Sequence, residues 1–174
     1  MKSRLLLPAP DQLDPAQSAI YQSILSTRGN VEGPFLAWLL APGLADPAQR
    51  LGAFCRYGTS LALVESELLI LLVAAGFDCV GEQQIHEPIA IGAGLSEAAV
   101  DAIRTGATPE LATPRQRMLL RMATALIRTN RIPESVYGEA TAEFGQTGVV
   151  EIVGVIGYYA LVAMTLNAFD MRKT

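Results

Sequence analysis

Residues 61–86 read LALVESELLILLVAAGFDCVGEQQIH. From Leu61 to Phe77 the run is apolar apart from Glu65, Ser66 and Glu67, and no period-two alternation breaks it. It predicts a buried helix rather than a half-exposed strand. Beyond it, Cys79, Glu82 and His86 fall at i, i+3 and i+7, a spacing that puts all three on one face of a helix. Nowhere in the chain does alternation persist, and Val/Ile-rich stretches occur only inside longer helical patterns.

The punctuation on either side is helical too. Asp14-Pro15 is an N-cap with proline at the first helical position, and Asp46-Pro47 repeats it, opening a helix towards Arg56. Asn30 to Gly43 is a packed loop or short helix holding Phe35, Trp38, Leu39 and Leu40. Ser96 caps a short helix that Gly106 ends. Thr113-Pro114 caps another, with Met118, Leu119, Met122, Leu126 and Ile127 in one stripe. Pro133 opens a helix that Phe144-Gly145 ends, and Gly148 leads into a long terminal one. The expected fold is all-α: one domain, a helical bundle of about seven or eight helices.

Composition sets the outer limits. The chain has 174 residues, 51% hydrophobic and 17% charged, which excludes a disordered protein. Net charge is −4 and no Lys/Arg cluster appears, so no nucleic-acid partner is expected. The large apolar share predicts surface hidden between copies of the chain. Val149 to Phe169 imitates a membrane span, but Glu151, Tyr158, Tyr159 and Asn167 interrupt it. A buried helix is expected there, with no membrane. The apolar run Leu5–Leu7 is too short for a signal peptide, and a cytoplasmic location is the expectation.

His86 is the only histidine, which removes His-rich metal sites. Cys55 and Cys79 form no CxxC pair. No GxSxG, GxGxxG or phosphate loop is present, so neither a metal nor an organic cofactor is expected. Chemistry concentrates in the 79–86 cluster. Glu82 stands one helical turn before His86, where its carboxylate reaches the imidazole, fixes the tautomer and equips the ring to move a proton. Cys79 is either a reactive thiol or a small buried hydrophobe. Glu67, inside the apolar run, must be paired, protonated or turned to solvent.

Taken together, Gly33-Pro34-Phe35, Arg56-Tyr57-Gly58-Thr59-Ser60-Leu61, Glu67-Leu68-Leu69-Ile70-Leu71, the Cys79…Glu82…His86 set and Tyr158 to Asn167 resemble the carboxymuconolactone decarboxylase family. That family lies within the alkylhydroperoxidase D-like superfamily. The resemblance covers roughly three-quarters of the chain. It implies a bundle around an antiparallel helix pair, and a homo-oligomer (trimer or hexamer) acting on a small-molecule substrate. It also implies a core at about residues 46–170, preceded by an extension over about 1–45. In the thiol-peroxidase branch a glutamate precedes a CxxC pair and a histidine follows. Here Glu67, Cys79 and His86 fall on the glutamate, the first cysteine and the histidine, while Glu82 stands where the second cysteine would be.

Three functions follow as expectations. The first is a decarboxylase-like lyase using His86 and Glu82 on a small carboxylated lactone or carbonyl compound. Glu67 and Cys79 would line the pocket, Arg56 would hold a carboxylate, and Trp38, Tyr158 and Tyr159 would form walls. The second is a thiol-dependent peroxidase, peroxiredoxin-like, acting through Cys79. The third is a helical oligomer that binds a small acid without turning it over.

Overall fold

The computed structural model describes residues 2–172, and among these it contains eight α-helices. They are α1 (Pro15–Arg28), α2 (Pro34–Trp38), α3 (Pro42–Tyr57), α4 (Leu63–Gly76), α5 (Val80–Gly92), α6 (Glu97–Arg104), α7 (Pro114–Thr129) and α8 (Glu134–Ala168). The all-α expectation holds.

At the centre stands α4. Leu68, Leu69, Ile70, Leu71 and Val73 are all buried, so the helix is apolar on every side. It packs against α5, α7 and α8. Asp78 takes a left-handed conformation (φ 50°) in the tight turn from α4 into α5. The Asn167 amide donates to the Phe77 carbonyl at 2.6 Å and ties that turn to the end of α8. Gly81, at the start of α5, lies so close to the segment after α8 that an added Cβ would come 2.6 Å from the Met171 carbonyl oxygen.

Local signals explain most helix starts. The Asp14 carboxylate accepts from the Gln17 backbone N–H at 2.8 Å, and Gln17 returns the bond to Asp14 at 3.0 Å. Thr113 and Gln116 close the same box on α7, and Ser96 caps α6. Gly29 and Gly106, both left-handed, follow α1 and α6.

The stretch from Asn30 to Gly43 contains the short helix α2, one of the two forms expected of it, and two boundaries differ from the sequence expectation. First, α3 starts at Pro42, so Pro47 lies inside the helix and Asp46 is not its cap. Asp46 pairs instead with Arg50, one turn on, at 2.7 Å. Second, the helices expected on either side of Gly145 run together as α8. The break is real but local: Gly145 alone has non-helical angles (φ 68°, ψ 170°), kinking the rod between 134–144 and 146–168.

By length and composition α8 could cross a membrane, yet 56% of its most apolar window is buried inside the fold. Ile152, Val155, Tyr159, Val162 and Leu166 supply that buried face. The N-terminal helices complete the structure: α1 packs on α3, and both α2 and α3 pack on α8. This arrangement places the start of α5, the middle of α8 and the ends of α1 and α3 around one cavity.

Candidate active site

Glu67 is fully buried on α4, and the hairpin turn brings it against His86 of α5. The Glu67 Oε2 to His86 Nδ1 distance is 2.7 Å. With Glu67 ionised, Nδ1–H donates and Nε2 is left facing the other way. On that side Glu82 Oε2 stands 3.4 Å from Nε2, too long for a normal hydrogen bond. Two buried carboxyls thus flank one imidazole, and they flank it unequally. The orienting bond comes from Glu67, nineteen residues away, rather than from Glu82, as the local spacing suggested.

Burial pushes the Glu82 carboxyl above the usual carboxylate range. The fields of His86 and Arg56 oppose that, while Glu67 adds to it, and the net direction is upward. Burial therefore favours the protonated form of Glu82, whose Oε2 stands opposite Nε2. Moving that proton from Glu82 to His86 leaves the net charge of the triad unchanged. Glu82 Oε2 and Glu67 Oε1 are buried without a hydrogen-bond partner. In a settled core such atoms are rare, and here they mark a site built to receive something else.

A cavity of about 280 Å³ opens beside this triad. Glu82, His86, Arg56, Tyr158 and Tyr159 are on its wall, as expected. Glu67, Cys79 and Trp38 are not. Glu67 stands behind His86. Trp38 stands behind Tyr158, with ring centroids 6.2 Å apart, and its indole N–H donates to Thr165 Oγ1 at 3.1 Å. An edge-to-face ladder runs from Phe35 through Trp38, Tyr158 and Tyr159 to His86, and the last step is 5.6 Å. Trp38 therefore braces the wall.

Cys79 lies one residue before α5, with non-helical angles (φ −91°, ψ 87°). It is fully buried. Burial pushes its thiol up to about 11, and the Glu82 charge adds to the effect against backbone N–H bonds from Glu82 and Gly81. Cys55 is likewise buried, with its thiol pushed up to about 11. At neutral pH neither presents a thiolate.

The Phe35 wall and Arg28 were not singled out as site residues in the sequence. Arg28 is the one charged residue of α1, and it lines the cavity. In sequence it looks like an ordinary basic residue in a last turn, where it complements the helix dipole.

Compared by sequence, the chain matches no protein-family model and no curated protein. Compared by structure, it matches several solved chains. One is described as an alkylhydroperoxidase AhpD core, an uncharacterized peroxidase-related protein from Ralstonia eutropha JMP134. It is 19% identical at TM-score 0.80, over 99% of this chain and 92% of that one. The fold is that of the alkylhydroperoxidase AhpD core. An uncharacterized peroxidase-related protein from Silicibacter sp. TM1040 agrees at 16% identity and TM-score 0.81, over 99% and 92% of the two chains. A protein of unknown function from Agrobacterium tumefaciens matches at 16% identity and TM-score 0.70, over 82% of this chain and 99% of its own. At these identities the likeness establishes the AhpD-core fold, and the chemistry has to be argued from the site.

Proposed function

We propose that this protein is an enzyme that moves protons on a small carbonyl or lactone acid, in the manner of a carboxymuconolactone decarboxylase. One observation carries the reading. The cavity wall presents a carboxyl and an imidazole, Glu82 and His86, while the nearby thiol of Cys79 is sealed behind it.

In a decarboxylation the bond between the carboxylate and its neighbouring carbon breaks. Carbon dioxide leaves, and the electron pair passes into the adjoining carbonyl as an enolate. Glu82, protonated and facing the cavity, delivers its proton to the carbon, and the enolate collapses to product. Water restores the proton through His86 Nε2, whose ring Glu67 holds in place. Arg56 binds a carboxylate of the substrate, because a guanidinium meets both oxygens at once.

Release of carbon dioxide from a panel of β-keto acids and carboxylated γ-lactones tests this. Turnover that disappears in Glu82→Gln and in His86→Gln, yet survives Cys79→Ala, supports the reading. Turnover that survives both of the first two substitutions overturns it.

A second reading, peroxide reduction, draws on the printed descriptions of the two peroxidase-related structures. It requires a sulfenic acid at Cys79 after mild peroxide, which mass spectrometry detects. The buried thiol and the carboxyl at residue 82 favour the first reading. In either case we read the chain as assembling with copies of itself. The supporting feature is the exposed apolar row Val150, Val153 and Met164 on α8, and sedimentation analysis tests it.

A further inference from the structure

The cations around the cavity are left without ion-pair partners. Arg28, at the end of α1, and Arg56, near the end of α3, both line it. Their guanidinium carbons lie 5.9 and 5.8 Å from the centre of one ring, Tyr57. Arg28 also lies 4.7 Å from the centre of Phe35. Two like charges are therefore gathered around one tyrosine. Among the described residues, neither arginine is in an ion pair, although Arg50, Arg104, Arg115, Arg121 and Arg172 all are. The acidic residues of the lining, Glu32 and Glu82, do not pair with them.

Arg28 is the more telling of the two. Its Nε and Nη2 are buried with no hydrogen-bond partner. A guanidinium fork left bare in a wall is costly unless something with matching acceptors fills it. The backbone makes room for it as well. A Cβ at Gly52 would meet Tyr158 Oη at 2.1 Å and Arg28 Nη2 at 3.0 Å, so the absent side chain lets both groups come together against α3. The rings of Phe35 and Tyr57 lie beside the guanidinium, their centres 4.7 and 5.9 Å from its carbon.

We infer that Arg28 selects the ligand: it receives the carboxylate of a small, largely apolar acid at the cavity end formed by α1 and α3, with Arg56 as the second cation. The ligand body then lies along Tyr57, Ile85 and Ile89 towards His86. At about 280 Å³ the cavity suits a molecule of roughly ten heavy atoms, at the small end for ligand sites. Specificity would thus come from the N-terminal helices, and proton chemistry from the α4–α5 hairpin. The inference rests on the His86 cavity being the substrate site, and its test reads binding without turnover.

The probes are benzoate and its neutral isostere benzamide, titrated into the full-length protein by calorimetry. Benzoate is expected to bind about tenfold or more tighter than benzamide. Arg28→Gln should weaken benzoate by about tenfold and leave benzamide unchanged, while Arg50→Gln, at an exposed arginine outside the cavity, should leave benzoate within about twofold. Should Arg28→Gln fail to fold, the benzoate-to-benzamide ratio in the unmodified protein, and its decline with added salt, still decide the matter. Equal binding of the two probes, no benzoate binding, or benzoate affinity unchanged in Arg28→Gln overturns the inference. A failed acid–base reading looks different: carboxylate preference intact, turnover absent.

Discussion

Glu65 and Glu67 are two residues apart on α4, both buried, yet their surroundings differ in kind. The Glu65 carboxylate receives Arg115 Nε at 2.7 Å and Nη2 at 3.2 Å, and the Ala62 backbone N–H at 3.0 Å. Burial pushes its carboxyl up, but the Arg115 and Ala62 bonds outweigh that, and the net direction is down. Glu65 is thus a satisfied anion that closes the helix start and ties α4 to α7. Glu67 has one partner, His86, and an oxygen with none. Beyond the imidazole stands Glu82, whose Oε2 is 3.4 Å from Nε2 and has no hydrogen-bond partner. One region spends its polar atoms on structure, and the other keeps them in reserve. Unspent polarity beside a cavity is what distinguishes a site from a brace.

The contrast is broken most severely at Glu82. In Glu82→Gln, turnover of any accepted acid is expected to fall by about 10²–10⁴-fold, while circular dichroism and the melting temperature show an intact fold. Glu65→Ala should do the reverse. It removes the bidentate Arg115 bond and the Ala62 cap, lowering stability by about 2 kcal/mol in urea unfolding, with the catalytic rate nearly unchanged. Part of that loss is offset because Arg115 remains partly exposed to water.

A pH series sharpens the same comparison. Glu65, held down, contributes stability that is present above its ordinary value of about 4.3 and is lost as pH falls through its folded value. Glu82, held up, works the other way: its contribution is fully present below about 4.3 and is lost as pH rises through its folded value. The melting temperature of Glu82→Gln relative to the unmodified protein should therefore climb as pH rises above about 4.3. That of Glu65→Gln should sink as pH rises towards about 4.3 and stay level above it. Parallel curves for the two variants would contradict the assignment. The smallest effect is expected at Cys79→Ala: turnover within about twofold, and a stability cost of about 1 kcal/mol for the lost sulfur.

What the sequence made legible follows distance along the chain. Asp14-Pro15, Thr113-Pro114 and the apolar run of α4 are local signals, and each produced its helix. The Glu82–His86 juxtaposition is one helical turn and was visible on the same ground. The Glu67–His86 bond needs the hairpin: the sequence marked Glu67 as a carboxylate out of place in an apolar helix, and the partner was out of local reach. Arg28 needs α1 to meet α3 and α8, so no local pattern marks it out from a residue serving the helix dipole. Asp46-Pro47 misled because an identical dipeptide does start α1. In α3 the helix has begun at Pro42, and the buried Ala45, Ala48 and Gln49 carry it through the proline. Trp38 looked like a substrate wall because aromatic residues line pockets. Its hydrogen bond to Thr165 and its stacking on Tyr158 set it one layer back.

The most direct test is the titration of the Glu82 side-chain carboxyl by carbon-13 NMR in the folded protein, assigned with Glu82→Gln. The account predicts a midpoint well above the ordinary glutamate value of about 4.3, so that a protonated carboxyl faces the cavity at working pH. A midpoint at or below that ordinary value would contradict it.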